Sequence, residues 1–196
     1  MGKWATGCAV GVLVLLVLIG LAAAASYNRL VSLDEGVRNA WAQVENVYQR
    51  RADLIPNLVE TVKGARDFEQ ETLTAVVEAR AKVGQVRFEG MPDAAGLERF
   101  QAAQDELSSA LSRLLVVVER YPELRATENF RDLQVQLEGT ENRIAVERRR
   151  FNEAARQYNT ARRRFPTMLI ANLFGFESTA YFEAAEGADE VPKVEF

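Results

Sequence analysis

The chain has 196 residues, a formal net charge of −4 at pH 7, one cysteine and no histidine. A single thiol cannot form a disulfide within the chain, and the absence of histidine removes the commonest general base and the commonest metal ligand. This composition excludes Ser-His and Cys-His catalysis and zinc sites built from cysteine and histidine.

The first predicted element is an uncharged apolar segment over residues 5–25. About twenty such residues suit an α-helix that crosses the ~30 Å hydrocarbon core of a bilayer. We predict a transmembrane anchor over residues 1–25, a helical domain over 26–166, and a short apolar helix with an acidic tail over 167–196. The alternative is a cleaved signal peptide, because Lys3 precedes the apolar run and small residues end it.

Apolar residues continue at heptad spacing after the anchor, which predicts a long first helix of the soluble part. Arg51 falls on this apolar seam, and Pro56 predicts a kink near residues 52–54 because proline lacks an amide proton. The residues on the seam are Leu30, Leu33, Val37, Ala40, Val44, Val47, Leu54 and Leu58.

Three further helices are predicted downstream. Asp67 and Gln70 resemble a capping box that starts a helix ending near residue 88, and a loop over 89–96 precedes a third helix over about 97–121. Pro122 begins a turn before a long fourth helix over about 130–165. We therefore predict an all-α fold in which a single N-terminal transmembrane helix continues into an elongated antiparallel four-helix bundle with two long and two short helices.

The unequal helix lengths predict self-association. At 1.5 Å per residue the long helices span ~55–65 Å and the short ones ~35 Å, so two helices alone would form the membrane-proximal half. Large apolar side chains there need cover, which predicts a homo-oligomer; a curved monomeric bundle that covers them is the alternative. The proposed interface consists of Leu30, Leu33, Val37, Trp41, Phe151, Tyr158 and Phe165.

The segment over residues 167–176 is apolar and follows a helix that returns to the membrane, so we expect it to lie in the bilayer interface. The alternative is a terminal helix folded back on the bundle. Tyr181 and Phe182 are expected to dock in either case. The side chains proposed to face lipid are Arg162, Arg163, Arg164, Leu169, Ile170, Leu173 and Phe174.

Arginine clusters at residues 148–150 and 162–164 favour a domain on the anionic cytoplasmic side of the inner membrane, with the amino terminus outside. The opposite orientation is the alternative, because the charges that flank the anchor nearly balance.

Three stretches carry a resemblance to a known family: YNRLVSLDEGVRNAWAQVENVYQRRADLIPNLVETVKG, RYPELRATENFRDLQVQLEGTENRIAVERRRFNEAARQYN and RRRFPTMLIANLFGF. The chain resembles the LemA family over nearly its whole length. The resemblance implies a single-pass membrane protein with a short external amino terminus and a bundle of long helices, and it implies no established activity. The motif residues that carry it include Arg50, Arg51, Asp53, Pro56, Asn57, Tyr121, Pro122, Glu138, Gly139, Glu141 and Asn142.

Some of these motif residues fall at comparable distances from the distal end of their helices. We predict an ion pair between Arg50 or Arg51 and Glu138 or Glu141, which fixes the register of the helices. Asn142 is expected to satisfy a neighbouring polar group. Gly139 is expected to permit close approach of the helices.

The sequence therefore predicts a membrane-anchored helical scaffold of the cell envelope that binds membrane lipid and copies of itself. We expect no catalytic, cofactor or metal site and no small-molecule substrate, because no phosphate loop, nucleophile elbow or paired carboxylates are present. Nucleic acid is excluded because the chain is acidic and no aromatic platform accompanies its arginines. The alternative is an adaptor that relays signals to, or recruits, another membrane protein such as a protease.

Overall fold

The structure, a computed structural model, describes residues 2–64, 68–86, 88 and 90–183, and for residues 2–6, 8 and 9 it describes the helical backbone alone. All regular structure in these ranges is helical, which confirms the all-α prediction. In chain order the helices are α1 (Gly2–Lys63), α2 (Gln70–Gln85), α3 (Ala94–Val118), α4 (Pro122–Arg125), α5 (Glu128–Arg163) and α6 (Thr167–Leu173). Asp67, and with it the predicted capping box, lies outside the described residues.

Helix α1 runs without interruption from the apolar segment into the heptad seam. Its 62 residues correspond to a length of ~93 Å. The large apolar side chains between Val10 and Leu21 are 50–63% exposed, and this part of α1 is long and apolar enough to cross a membrane.

The other long helix, α5, packs antiparallel along α1, so that Trp41 lies beside Phe151. Helices α2 and α3 also pack against each other in antiparallel fashion. Two ion pairs show this direction: Glu69 pairs with Arg120, and Lys82 pairs with Glu106. The buried side chains form two apolar clusters. The distal core lies farther from the apolar segment and comprises Leu54, Ile55, Leu58, Val59, Val62, Leu73, Val76, Ala79, Leu107, Ala110, Leu111, Leu114, Val118, Leu124, Phe130, Leu133 and Leu137.

The proximal core is the second cluster, and its composition corrects one prediction. The expectation that two bare helices form the membrane-proximal half is wrong, because the start of α3, helix α6 and the chain up to residue 183 return to cover them. The proximal core comprises Leu30, Val37, Trp41, Val44, Tyr48, Leu97, Phe100, Ile144, Phe151, Ala155, Tyr158, Ala171 and Phe182.

Of the seven side chains proposed for an oligomer interface, five are buried within the chain itself. Leu33 is half-buried and Phe165 is 79% exposed, and the chain itself covers the others. The five buried side chains are Leu30, Val37, Trp41, Phe151 and Tyr158. Self-association stays a prediction.

Pro56 lies inside α1, and the structure accounts for the carbonyl that it leaves free. The amide of residue 56 would normally donate to the carbonyl of Ala52, one turn earlier, but proline has no amide proton. Arg80 of α2 donates its Nε–H to this carbonyl at 3.0 Å. A side chain of α2 thus replaces the missing bond within α1. The predicted kink near residues 52–54 stays a prediction.

We expect Arg80→Ala to cost about 0.5–1.5 kcal/mol of unfolding free energy in the natural chain, because the Ala52 carbonyl loses its donor. In a Pro56→Ala background the amide of residue 56 supplies the bond, so the same substitution should cost close to nothing. Urea unfolding of the full chain in mild detergent, followed by circular dichroism, measures both costs.

The matched control is Lys82→Ala, which removes an exposed ion pair from the same helix and should cost the same in both backgrounds. Equal costs of Arg80→Ala in the two backgrounds would contradict this assignment.

Candidate functional site

A polar layer centred on Arg51 separates the two cores. The Arg51 side chain is 1% exposed. Its Nη1 lies 2.8 Å from Ser108 Oγ and 2.7 Å from Glu141 Oε1, and its Nη2 lies 3.2 Å from the main-chain oxygen of Gln104. Nη2 also donates to the Gln104 side chain, and the guanidinium carbon lies 5.1 Å from the centre of the Tyr48 ring. One buried cation thereby joins α1, α3 and α5.

The layer satisfies most of its polar atoms inside the chain. Thr140, 2% exposed, donates to the carbonyl of Gln136, whereas Arg51 Nε has no hydrogen-bond partner within the described ranges. Burial raises the pKa of the Tyr48 hydroxyl, and the guanidinium groups of Arg148 and Arg51 oppose this. Because the Glu141 side chain is 47% exposed, water reaches the acidic partner of the pair. This arrangement is better suited to fixing the register of α1, α3 and α5 than to transferring protons.

Of the four predicted combinations, the structure pairs Arg51 with Glu141. Arg50 is exposed, and Glu138 accepts a hydrogen bond from Gln134 on the outer face of α5.

Two motif residues on α5 do not have their expected roles. Asn142 is exposed and its side chain makes no hydrogen bond within the part of the chain that the structure describes, so it does not satisfy a buried group. A Cβ added at Gly139 would meet nothing within 4 Å, so no close approach of helices requires glycine there.

The remaining motif residues have local roles. Asp53 accepts a hydrogen bond from Gln49, and the main-chain oxygen of Asn57 accepts one from Thr61. Tyr121 is half-buried beside the distal core, and Pro122 begins α4 and lines an open cleft of about 730 Å³ at the distal tip.

A second polar arrangement holds the chain after α6. We call residues 176–183 the strap. Asn159 Nδ2 donates to the carbonyl of Thr179 at 2.8 Å, and its Oδ1 accepts from the Thr179 amide at 3.0 Å. Asn152 forms the same pair of bonds with Phe182, at 2.9 and 2.8 Å. Each asparagine thus binds both main-chain groups of one strap residue.

Further donors line the same face of α5. The Tyr158 hydroxyl donates to the carbonyl of Glu177 at 2.8 Å, and Arg162 Nε donates to that of Phe176 at 2.6 Å. Burial raises the pKa of Tyr158, and Asp34 adds to the increase, whereas Arg162 and Arg38 oppose it.

The strap places one aromatic side chain in the proximal core, as expected of Phe182. This side chain is 5% exposed and lies 6.1 Å from the Trp41 ring and 5.5 Å from the Phe151 ring, between ring centres. The Arg148 guanidinium carbon lies over the same ring, 4.8 Å from its centre. Tyr181 is 44% exposed, and its hydroxyl accepts a hydrogen bond from Asn159.

An exposed apolar patch adjoins the strap where α1 leaves the apolar segment. Its large side chains lie around α6, and the Phe174 ring lies 4.9 Å from the Tyr27 ring, between ring centres. We call this the α6 patch, and it consists of Phe165, Met168, Leu169, Leu173 and Phe174, which are 79, 40, 56, 75 and 59% exposed.

The side chains that were expected to face lipid differ in their exposure: five are exposed and two are half-buried. Arg163, Arg164, Leu169, Leu173 and Phe174 are exposed. For the other two the expectation is corrected: Arg162 turns inward because it binds the strap, and Ile170 is half-buried because it packs against the proximal core. Helix α6 packs against α1 and α5 and keeps exposed apolar side chains on its outer side. Its predicted position in the bilayer interface stays a prediction.

Sequence reasoning missed Gln104, Ser108, Asn152 and Asn159 as parts of these sites. A signal exists for the asparagines, because residues seven apart lie on one face of a helix. Within the described part of the chain, no group of three or more cysteine, aspartate and glutamate side chains is placed to hold a metal ion.

Glu141→Ala should cost about 1–3 kcal/mol of unfolding free energy, because it leaves a buried guanidinium without its charged partner. Glu138→Ala is the matched control, since it removes an exposed glutamate from the same helix and should stay within about 0.5 kcal/mol. Chemical unfolding of both full-length variants in mild detergent measures the difference. Equal losses would show that the Arg51 pair contributes nothing beyond a surface contact.

Comparison with known proteins gives a family and several distant relatives. The model of the LemA family matches residues 40–196. The chain is 26% identical over 182 residues to "Magnetosome protein MamQ 2" of Paramagnetospirillum magneticum, covering 83% of this chain and 66% of that protein. It is 23% identical over 159 residues to "Protein LemA" of Metamycoplasma hominis, covering 81% and 69%. The chain thus spans just under two thirds of the length of its magnetosome relative.

Proposed function

The chain belongs to the LemA family, and from that premise we propose that it is a membrane-anchored helical interaction protein of the cell envelope. It acts by holding proteins together at the membrane and has no catalytic activity. The apolar segment of α1 is its single transmembrane anchor, and the remaining helices form an elongated antiparallel bundle with two long and two short members.

The α6 patch is the observation that carries the proposal. Its exposed apolar side chains lie beside Tyr27, two residues after the end of the predicted span. Aromatic rings are favoured at the height where a helix leaves the hydrocarbon core, and exposed arginines nearby suit lipid headgroups. Arg163 and Arg164 are such arginines, at the end of α5. The patch therefore seats the domain on the bilayer.

The orientation that we propose places the amino terminus outside and the helical domain in the cytoplasm, at the inner membrane. The arginine-rich end of α5 supports it, because the cytoplasmic leaflet is the anionic one. An external domain is the alternative.

The partners that we propose are membrane lipid and copies of this chain, so that the protein is a scaffold. Confinement to a membrane supports self-association, because it raises the effective concentration of neighbouring copies. The second candidate is an adaptor that recruits another membrane protein such as a protease. The cleft at the distal tip favours it, since a partner far from the membrane could bind there.

A nitroxide label at Leu173 should be more accessible to oxygen than to a water-soluble nickel reagent once the protein is in lipid bilayers, because the α6 patch faces acyl chains. The matched control is a label at Val116, which is 67% exposed on α3 and should show the reverse order. Single-cysteine variants in a Cys8→Ser chain allow both measurements by electron paramagnetic resonance. Water-like accessibility at both positions would contradict the seating of α6.

The mass of the full-length protein in mild detergent tests the scaffold. We expect a defined oligomer by light scattering, since copies of a scaffold bind one another. A monomer at every concentration would refute self-association and favour the adaptor.

A further inference from the structure

We propose that a cleft between α1, the end of α5 and the start of α6 binds the phosphate of an anionic phospholipid. The cleft has a volume of about 280 Å³, and we call it the boundary cleft. This inference rests on the proposed anchor and on the proposed seating of α6 on the bilayer, and it names the lipid group that is recognised there. The side chains of the boundary cleft that carry the argument are Ser26, Arg29, Arg164, Phe165 and Thr167.

Two arginines supply the positive charge of the boundary cleft. Arg29 belongs to α1, and Arg164 directly follows the last residue of α5. Both are exposed, and neither guanidinium forms an ion pair or a hydrogen bond with a residue that the structure describes. Two like charges that line one cleft repel each other, and an anion held between them removes that repulsion. Guanidinium groups bind phosphate oxygens through paired N–H donors, so the arginines suit a phosphate.

The boundary cleft has no negative charge of its own. No carboxylate is among the described residues that line it. The neighbouring sequence is equally free of acids, because neither residues 1–33 nor residues 154–176 contain aspartate or glutamate. The ammonium group of a zwitterionic lipid would find no partner in such a cleft. A headgroup with a net negative charge therefore fits better than a zwitterionic one.

Hydroxyl groups complete the polar lining. The Thr167 side chain is half-buried, and its hydroxyl forms no hydrogen bond within the described ranges, so it is free to donate to a phosphate oxygen. Ser26 Oγ already donates to the carbonyl of Ala22 at 2.8 Å, so it offers only an acceptor. The boundary cleft thus presents one hydroxyl donor beside two guanidinium groups.

The position of the boundary cleft along α1 favours a lipid over a free phosphate ion. Arg29 lies four residues after Ala25, the end of the predicted span, which corresponds to ~6 Å along the helix. The polar layer on each face of a bilayer is ~5–7 Å thick, so Arg29 would lie among the headgroups. Phe165 also lines the cleft, is 79% exposed and belongs to the α6 patch. An apolar surface next to the cations suits a ligand that carries acyl chains beside its phosphate.

Native mass spectrometry of the full-length protein in mild detergent counts the lipids that each chain retains. Titration with phosphatidylglycerol, which is anionic, is compared with titration with phosphatidylethanolamine, which is zwitterionic. We expect one phosphatidylglycerol per chain and about tenfold weaker binding of phosphatidylethanolamine, because its ammonium group is unpaired in the cleft. Arg29→Ala and Arg164→Ala should each raise the Kd for phosphatidylglycerol about tenfold, because each removes a charge-assisted contact.

Arg163→Ala is the matched control. Arg163 is exposed and adjacent in sequence and carries the same charge, but it does not line the boundary cleft. Its removal should change the Kd by no more than about twofold. Equal losses in all three variants would overturn the site and show a diffuse attraction between lipid and arginine. Because all three side chains are exposed, circular dichroism should show the same helix content in each variant and separate a lost contact from a lost fold.

Competition identifies the source of the phosphate. An excess of inorganic phosphate should not displace phosphatidylglycerol, because the free ion has no acyl chains to contact the apolar side of the cleft. Displacement would overturn the lipid assignment and leave a site for free phosphate.

The nitroxide label at Leu173 separates this inference from the proposed seating of α6. Unselective lipid retention, with a label that is exposed to acyl chains, would overturn the boundary cleft and leave the seating standing. Selective retention of phosphatidylglycerol, with a label that is exposed to water, would support the phosphate site and overturn the seating.

Discussion

The buried guanidinium of Arg51 is the constraint on which the rest of this structure depends. Two apolar cores lie on either side of it, and the polar groups that satisfy it come from α3 and α5 at a single level. A slip of α1 by one turn, ~5.4 Å, would move the charge into an apolar core, where an unpaired cation is strongly destabilising. One residue therefore sets the register of three helices, and that register brings Trp41 opposite Phe151 and creates the pocket that receives Phe182.

How much of the structure the sequence predicts depends on how local each sequence signal is. Helices are read from apolar periodicity within one segment, so the order and approximate bounds of the longer helices could be predicted, as could a buried arginine on an apolar seam. The four-residue helix α4 is too short to show such periodicity and was predicted as a turn. The cover of the proximal half could not, because the strap has no periodicity and its bonds use main-chain groups that any sequence possesses. The polar partners on α3 were missed for a related reason: Gln104 and Ser108 are each unremarkable until Arg51 lies opposite them.

The membrane-proximal end combines two kinds of surface in one place. The α6 patch is apolar and exposed, whereas the strap next to it is bound through hydrogen bonds and a single buried ring. Lipid could cover the first without any specific geometry, whereas the second requires an extended segment with matching main-chain spacing, which the chain itself supplies. The proposed contact with the membrane and the closure of the strap are thus separate in chemistry although they share α5 and α6.

Because α1 is continuous, a tilt of its apolar segment would move the distal tip sideways. Residues 26–63 extend ~57 Å beyond the predicted span, and the Arg80 bond replaces the one contact that proline removes along the way. Transmembrane helices tilt by ~20° on average. The tilt angle increases where the hydrocarbon core is thinner than the apolar segment is long. A rigid arm of this length converts a change of ~20° into a lateral displacement of ~20 Å at its far end. If α1 spans the membrane as proposed, bilayer thickness would set the lateral position of the distal cleft.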